Sequence, residues 1–208
     1  GSASRDDVAR GIRSRLKPHR KGNGTLPRNI VLIGGPPCQA YSIVGRSRNR
    51  GKSSYRPEHD ERHYLYREYL HVIADLRPAI FIMENVKGML NSRVMGHRLF
   101  QTIRIDLSRP DIALGRDEGL AYRLVSLDRD TLLPTEPEPD DFIARAEDHG
   151  VPQARHRVII CGIRNDLMSE LHDIPRISLS KGPPTVRAAI ADLPALHPVI
   201  SYRGQGMT

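Results

Sequence analysis

Apolar positions in this chain fall into short runs and helical faces that alternate, and the alternation predicts the elements. Ile30 to Ile33 is an apolar run that empties into Gly34-Gly35-Pro36-Pro37, so it reads as a buried strand followed by a stiff turn. Downstream, Leu65, Tyr69, Val72, Ile73 and Leu76 share one helical face, and Pro78 stops that helix. The run Ala79 to Met83 predicts a strand. Met95, Leu99, Ile103 and Leu107 recur every fourth residue and predict a helix that ends before Pro110. Leu120 to Leu127 and Val158 to Ile163 read as further strands. Between them lie an acidic, Pro-rich loop at residues 134–141 and a short helix from about Asp141 to Glu147 that leads to Gly150. Strand, helix, strand, helix, strand, strand is the second half of a doubly wound α/β sheet.

The ends of the chain carry weaker patterns. Val8, Ile12 and Leu16 are spaced for a short amphipathic helix, and Thr185 can cap another over Val186 to Leu193, ended by Pro194. The pattern divides the chain into a basic amino-terminal segment at 1–29, a core at 30–165 and a trailing linker and helix at 166–208.

Composition narrows the class. A chain of 208 residues can build one sizeable core, and its formal charge of +8 fits a polyanionic partner, as it would a merely soluble basic protein. Two cysteines in unrelated contexts give no disulfide framework, which favours a reducing compartment. No apolar run approaches the ~20 residues of a membrane span, and no signal-peptide pattern is present. The charge is concentrated in Arg46 to Lys52, where Arg46, Arg48, Arg50 and Lys52 alternate with small residues. A segment of that kind can bend and contact phosphates.

The candidate chemistry lies just before it. A strand-to-turn junction presents the next side chain at the rim of the sheet, where open α/β folds bind ligands, and here that side chain is the thiol of Cys38. The other cysteine, Cys161, sits within Val158 to Ile163 and reads as a small buried hydrophobe.

Three blocks, in order, resemble the signature blocks of the DNA (cytosine-5) methyltransferases. They are GGPPCQAYS at Gly34 to Ser42, Glu84-Asn85-Val86 at the end of the second apolar run, and Gln153-Ala154-Arg155-His156-Arg157 ahead of Val158 to Ile160. The resemblance extends from about Ile30 to about Leu193. It implies that a thiolate at Cys38 adds to carbon 6 of cytosine and turns the ring into an enamine whose carbon 5 can attack a methyl donor. Glu84 would relieve the charge building on the ring by protonating ring nitrogen 3, and would accept from the exocyclic amine. In that role it must hold a proton near neutral pH, which burial at a strand end can supply.

Arg155 and Arg157, two apart in extended backbone, are expected to point the same way. The resemblance makes them the pair that orients the glutamate and contacts the base and its backbone, with Arg157 nearer the base and Gln153 holding the loop. It also implies that Gln39, Ser42, Gly45, Arg46, Arg48, Arg50 and Lys52 grip DNA from a mobile loop. Pro36 and Pro37 are its contacts to S-adenosylmethionine. No metal is expected.

The family's Phe-x-Gly-x-Gly block, its ribose-binding acidic residue and its last blocks have no counterpart in this sequence. The chain is therefore expected to be the central catalytic segment of a longer methyltransferase. That implies an incomplete S-adenosylmethionine site, the first strands of the full Rossmann-like sheet absent, and double-stranded DNA as partner in a bacterial, nucleoid-associated setting in the cytoplasm. Ile30 to Ile33, central in a full sheet, would then have an open edge, so self-association or a companion segment is expected. Singly, each residue has a plainer reading: Glu84 as a solvated acid, the arginines as surface charges, Pro36-Pro37 as only a turn. A catalytically silent DNA-binding or assembly module is the alternative function. A cysteine hydrolase is a weaker third, since none of the nine histidines lies in a recognisable nucleophile–base motif.

Overall fold

The computed structural model of the protein describes residues 5–19, 29–37, 65–94, 96–127, 137–171, 176–180 and 182–194. Its centre is a mixed sheet in the order β1 (Val31–Gly34), β2 (Ile80–Val86), β7 (His156–Arg164), β5 (Tyr122–Val125), with β6 (Ile143–Arg145) also paired to β7. β1 and β2 are parallel, whereas β7 is antiparallel to β2, β5 and β6. The last long strand is thus inserted, reversed, between two strands that run the same way. That α/β architecture is the one expected, but the insertion is not visible in the order of the elements.

Period-two alternation sorts the sheet into two faces. Leu32, Phe81, Met83, Val158, Ile160 and Tyr122 face a helical layer and form the main core with residues of α2 (Tyr66–Leu76) and α3 (Leu99–Ser108). Tyr66, Tyr69, Leu70, Ile73 and Ala74 are the buried positions of α2, spaced three and one apart, as a single apolar stripe requires. The helix stops at Arg77, which adopts a left-handed conformation (φ 47°) and donates its amide to the Ile73 carbonyl at 2.8 Å, just ahead of Pro78. Arg164 reaches across from β7 to donate to the Arg77 carbonyl.

The other face carries a smaller cluster of Val125, Cys161 and Ile163, with Ile80, Ile82, Leu127 and Met168 half-covered around it. On that face Val31 and Ile33 of β1 are 53% and 72% exposed, and among the described residues β1 pairs on one side only.

Several boundaries differ from the sequence expectation. Strand β2 extends through Val86, so Glu84 lies within the strand rather than just beyond it. Helix α3 begins at Leu99, because β3 (Arg93–Val94) and β4 (His97–Arg98) pair antiparallel just ahead of it, with Gly96 at φ 83°; Met95 lies outside the described residues. The helix expected over Asp141 to Glu147 is not there. A single 3-10 turn at Pro139–Phe142 leads into β6, and another at Ala146–His149 follows it. The cause is tertiary: β5 covers β7 only from Cys161 onward, which leaves His156 to Val158 with open ladder positions that Ile143 to Arg145 fill.

The amino-terminal helix α1 (Arg5–Leu16) forms as expected, and Arg13 pairs with Asp75 of α2 at 3.2 Å. Toward the other end, Thr185 caps α5 (Val186–Ile190) by accepting the Ala188 amide at 3.1 Å.

Asp111, buried in α4 (Pro110–Ala113), staples the turn that delivers β5. Its carboxylate accepts the amides of Ile112 (2.8 Å), Glu118 (3.0 Å) and Leu120 (2.7 Å). Burial works against its charge, but the amides of Leu120, Ile112 and Glu118 and its own outweigh it and hold the carboxyl below the usual range. A depressed carboxyl stabilises the fold above its unfolded value, and that contribution is lost as pH falls through the folded value. Asp111→Asn turns an amide donor toward these amides and should cost about 1.5–3 kcal/mol, read as a lower urea midpoint at neutral pH. The variant should also lose less of its stability on acidification than the parent. Equal midpoints at neutral pH would refute the staple.

Candidate functional site

Two of the three sequence blocks meet where β1 ends. Gly34 is needed there, because a Cβ at that position would stand 2.6 Å from the Tyr69 ring. That ring is fixed by its own hydroxyl, which donates to the Ile82 carbonyl at 3.0 Å, and burial drives its ionisation far above the ordinary tyrosine range. The next residue, Gly35, lies against Glu84, with a Cβ there only 3.1 Å from the carboxylate Oε2. The turn toward Pro36 and Pro37 is pinned in turn by Asn85. This side chain is 3% exposed and donates from Nδ2 to the Pro36 carbonyl at 3.2 Å. Its Oδ1 accepts the Val86 amide at 2.9 Å. Asn85 occupies a slot that alternation assigns to the helical layer, after Phe81 and Met83. A polar residue in that slot was the available signal of a structural role, which the sequence reading did not use.

The third block arrives on β7. In the ladder Glu84 stands opposite Ile159 and Val86 opposite Arg157, which makes Glu84 and Arg157 diagonal neighbours on one face. Arg157 Nε lies 2.8 Å from Glu84 Oε1. The contact is an ion pair rather than an aligned hydrogen bond, since this enclosed N–H is not aimed at the carboxylate. Arg157 Nη1 donates to the main-chain carbonyl of His156 at 2.8 Å. The Glu84 carboxylate is thus held between Gly35 and Arg157, at the mouth of the turn that leads to position 38. The burial expected for it is not present: the Glu84 side chain is 47% exposed, against 25% for Arg157.

Arg155 is placed differently from its neighbour. It precedes β7 and is exposed, and among the described residues its side chain meets no partner. Its main chain is ordered by a donation to the Gln153 carbonyl (2.9 Å) and by the Ala146 amide, which its carbonyl accepts (3.0 Å). Gln153, also exposed, bonds through its own amide to the Val151 carbonyl at 2.8 Å. Cys38, Gln39, Ser42, Gly45, Arg46, Arg48, Arg50 and Lys52 lie outside the described residues. Cys161 is buried, and burial pushes its thiol up to about 11, so it packs as a neutral side chain.

A methyl donor finds little in the described residues. Pro36 and Pro37 bring no side-chain hydrogen-bonding group, and the space beside Gly34 and Gly35 is filled by Tyr69 and Glu84. These residues do not by themselves form a donor site, and no metal-holding cluster of His, Cys, Asp and Glu occurs among the described residues. Nor is any described helix long and apolar enough to cross a membrane.

Comparison with known proteins extends the picture beyond the site. Over 169 residues the chain is 34% identical to a type II methyltransferase, M.Bpa9945I, of Bacillus paralicheniformis, a match that covers 81% of this chain and 33% of the relative. It is 31% identical to M.XorII of Xanthomonas oryzae pv. oryzae, covering 84% of this chain and 32% of that one. The chain thus spans about a third of the length of these curated relatives. A solved structure of a prophage-encoded E. coli protein, described as a candidate DNA modification methyltransferase, aligns over 90% of this chain and 40% of that one, with a TM-score of 0.48 and 22% identity. The family model for C-5 cytosine-specific DNA methylase matches residues 15–109 and 142–205, which takes in the Gly34–Gly35 turn, the Glu84–Asn85 strand and the arginine block together. With those three elements meeting at one strand end, the chain belongs to the C-5 cytosine-specific DNA methylase family.

Proposed function

We propose that the protein containing this chain methylates carbon 5 of a flipped-out cytosine in double-stranded DNA through a covalent adduct at Cys38. The observation that carries the reading is the Glu84 carboxylate, held between Gly35 of the Gly-Gly-Pro-Pro turn and Arg157. In the addition step the Cys38 thiolate bonds to carbon 6, the ring's electron pair moves toward nitrogen 3, and Glu84 delivers a proton there. Once carbon 5 carries the methyl group, nitrogen 3 returns its proton to Glu84, a base takes the proton from carbon 5, and that electron pair re-forms the 5,6 double bond as the sulfur leaves carbon 6. Because Glu84 is half-open in the free chain, exclusion of water falls to the incoming base, which covers the carboxylate as it binds. Arg157 keeps the carboxylate aimed, and Arg155, exposed beside it, is available to the base or its phosphate.

Gln39, Ser42, Gly45, Arg46, Arg48, Arg50, Lys52 and Gln153 are the proposed contacts to the DNA backbone, and 166–208 the lead toward a target-recognising domain. S-adenosylmethionine is the proposed donor, supplying the methyl group when bound, with Pro36 and Pro37 as this chain's contacts to it. A bacterial cytoplasm, at the nucleoid, is the setting this chemistry implies.

The test is trapping on DNA that carries 5-fluorocytosine, with S-adenosylmethionine present. The full-length protein should give a covalent adduct that disappears in Cys38→Ser. An adduct that persists in that variant would end the reading. The 208-residue chain alone should bind DNA with little trapping, regaining it when the upstream segment is added.

A second proposal follows from the open flank of the sheet. With Val31 and Ile33 exposed and the outer edge of β1 unpaired among the described residues, this chain should pair with a companion segment or a second copy. Sedimentation at about 20–50 μM should show species heavier than a monomer, in the range where weak self-association gives measurable dimer. A single monomeric boundary there would count against it.

A further inference from the structure

His156 is a place in the arginine block to which the reading above gives no task. Its ring Nε2 lies 2.5 Å from Glu147 Oε1, across nine residues of sequence. Its main-chain carbonyl is the atom on which Arg157 Nη1 rests, at 2.8 Å. We propose that Glu147 and His156 form a positioning pair, in which Glu147 holds the His156 ring and thereby fixes the carbonyl that aims Arg157 at Glu84. The inference rests on the reading of Arg157 and Glu84 as the reacting pair's support, and adds the device that sets their geometry.

The geometry around Glu147 is built rather than incidental. Glu147 sits on the 3-10 turn Ala146–His149, which Gly150 (φ 81°) closes. That turn is tied to the start of β7 by the Ala146 amide on the Arg155 carbonyl (3.0 Å). It is closed on itself by the Val151 amide on the Ala146 carbonyl (3.1 Å). The segment 176–180 packs on its other side, where the Ser180 amide donates to the Asp148 carbonyl at 2.8 Å. Glu147 Oε2 is enclosed, with no hydrogen-bond partner among the described residues. Its own amide, the His156 ring and the Arg155 amide together hold the carboxyl below the ordinary range against the cost of burial. Removing the ring leaves a partly enclosed charge without its partner, which the turn can relieve only by moving.

Movement of residue 156 is transmitted directly. The Arg157 guanidinium is shared between the His156 carbonyl and Glu84, and its Nε–H already lies off the line to the carboxylate. A small rotation of the 156–157 peptide therefore brings that N–H onto Glu84 or takes it further away. The charge of the ring decides how firmly Glu147 holds it, since an imidazolium makes an ion pair where a neutral ring makes only a hydrogen bond. Other charges surround the pair. Arg145 stands opposite His156 in the ladder, and Asp140 and Asp141 lie on the turn before β6. Asp148 and His149 share the Glu147 turn, Arg155 and Arg157 flank the ring, and Arg176 lies on the covering segment. The His149 ring nitrogen Nδ1 faces the Ser178 carbonyl at 3.1 Å.

The experiment is NMR on this chain without DNA, following the His156 ring carbons and the Arg157 Nε–H from about pH 5 to about pH 8, where imidazoles titrate. Glu84→Gln assigns the Arg157 resonance, and His149→Gln removes the second imidazole of the Glu147 turn. The expected result is that Arg157 Nε–H shifts with the same midpoint as the His156 ring. Glu147→Gln should move that midpoint or abolish the shift, and His156→Gln should keep the resonance at one position throughout. A pH-independent Arg157 Nε–H, or one whose midpoint is unchanged in Glu147→Gln, overturns the proposal. Should that variant fail to fold, the coupled or uncoupled titration of the parent chain decides. Turnover does not enter the measurement, so a failure here and a failure of trapping at Cys38 are separate outcomes.

Discussion

Glu84→Gln in the full-length protein should slow adduct formation by about 10²–10⁴-fold, the span that one general acid contributes. Glutamine keeps the shape of the side chain and can still accept from the exocyclic amine, but it has no proton to give to ring nitrogen 3. The fold should hardly notice. With Glu84 47% exposed, its ion pair with Arg157 is of the surface kind and worth about 0–1 kcal/mol. Affinity for DNA should stay within a few-fold as well, because phosphate contacts dominate binding. Single-turnover trapping with matched DNA-binding and urea-denaturation controls separates the three effects. A loss of less than about tenfold in the trapping rate would mean that ring protonation comes from another source, and Glu84 would then be a positioning residue for Arg157.

The same contrast between Glu84 and its surroundings shows what a sequence makes legible. Strand positions were readable wherever the chain concentrates β-branched and aliphatic residues, as at Ile30 to Ile33 and Val158 to Ile163, and along β7 burial on both faces accounts for the continuous apolar run. The thiol, the carboxylate and the arginines could be grouped through the resemblance of their three blocks, each adjoining such a run, to one family. What could not be read is what neighbouring elements impose. The stretch after Asp141 has no strong preference of its own, and it becomes a strand only because β5 leaves the first residues of β7 unpaired. Arg155 and Arg157 look equivalent in a two-residue spacing, yet only Arg157 lies inside β7, where the ladder sets it diagonal to Glu84. The link from Glu147 to His156 depends on a turn closing back on a strand and leaves no local pattern at all.

Glycine is the other silent signal, and it carries the largest expected effect on stability. Gly162 lies within the apolar run that forms β7. In the fold it stands in register with Phe81 of β2 and Leu124 of β5, and the Phe81 ring lies over it. A Cβ at 162 would be 2.1 Å from that ring, a distance at which something must move. Phe81 has nowhere to go: it is fully buried, with Tyr122 edge-on at 5.0 Å and Tyr69 edge-on at 6.2 Å. Alanine gains about 0.5–1 kcal/mol over glycine in strand entropy. Overpacking a closed core typically costs about 1–3 kcal/mol and sometimes more, and a clash with a pinned ring belongs at the upper end. Gly162→Ala should therefore lose about 2 kcal/mol or more net, a large share of a stability of about 5–15 kcal/mol, and lower the urea midpoint accordingly. The double variant with Phe81→Leu should recover part of that loss, because shrinking the ring opens the space that the methyl needs, and the two changes should be strongly non-additive. Additive costs, or a single variant with an unchanged midpoint, would show that the ring does not rest on Gly162.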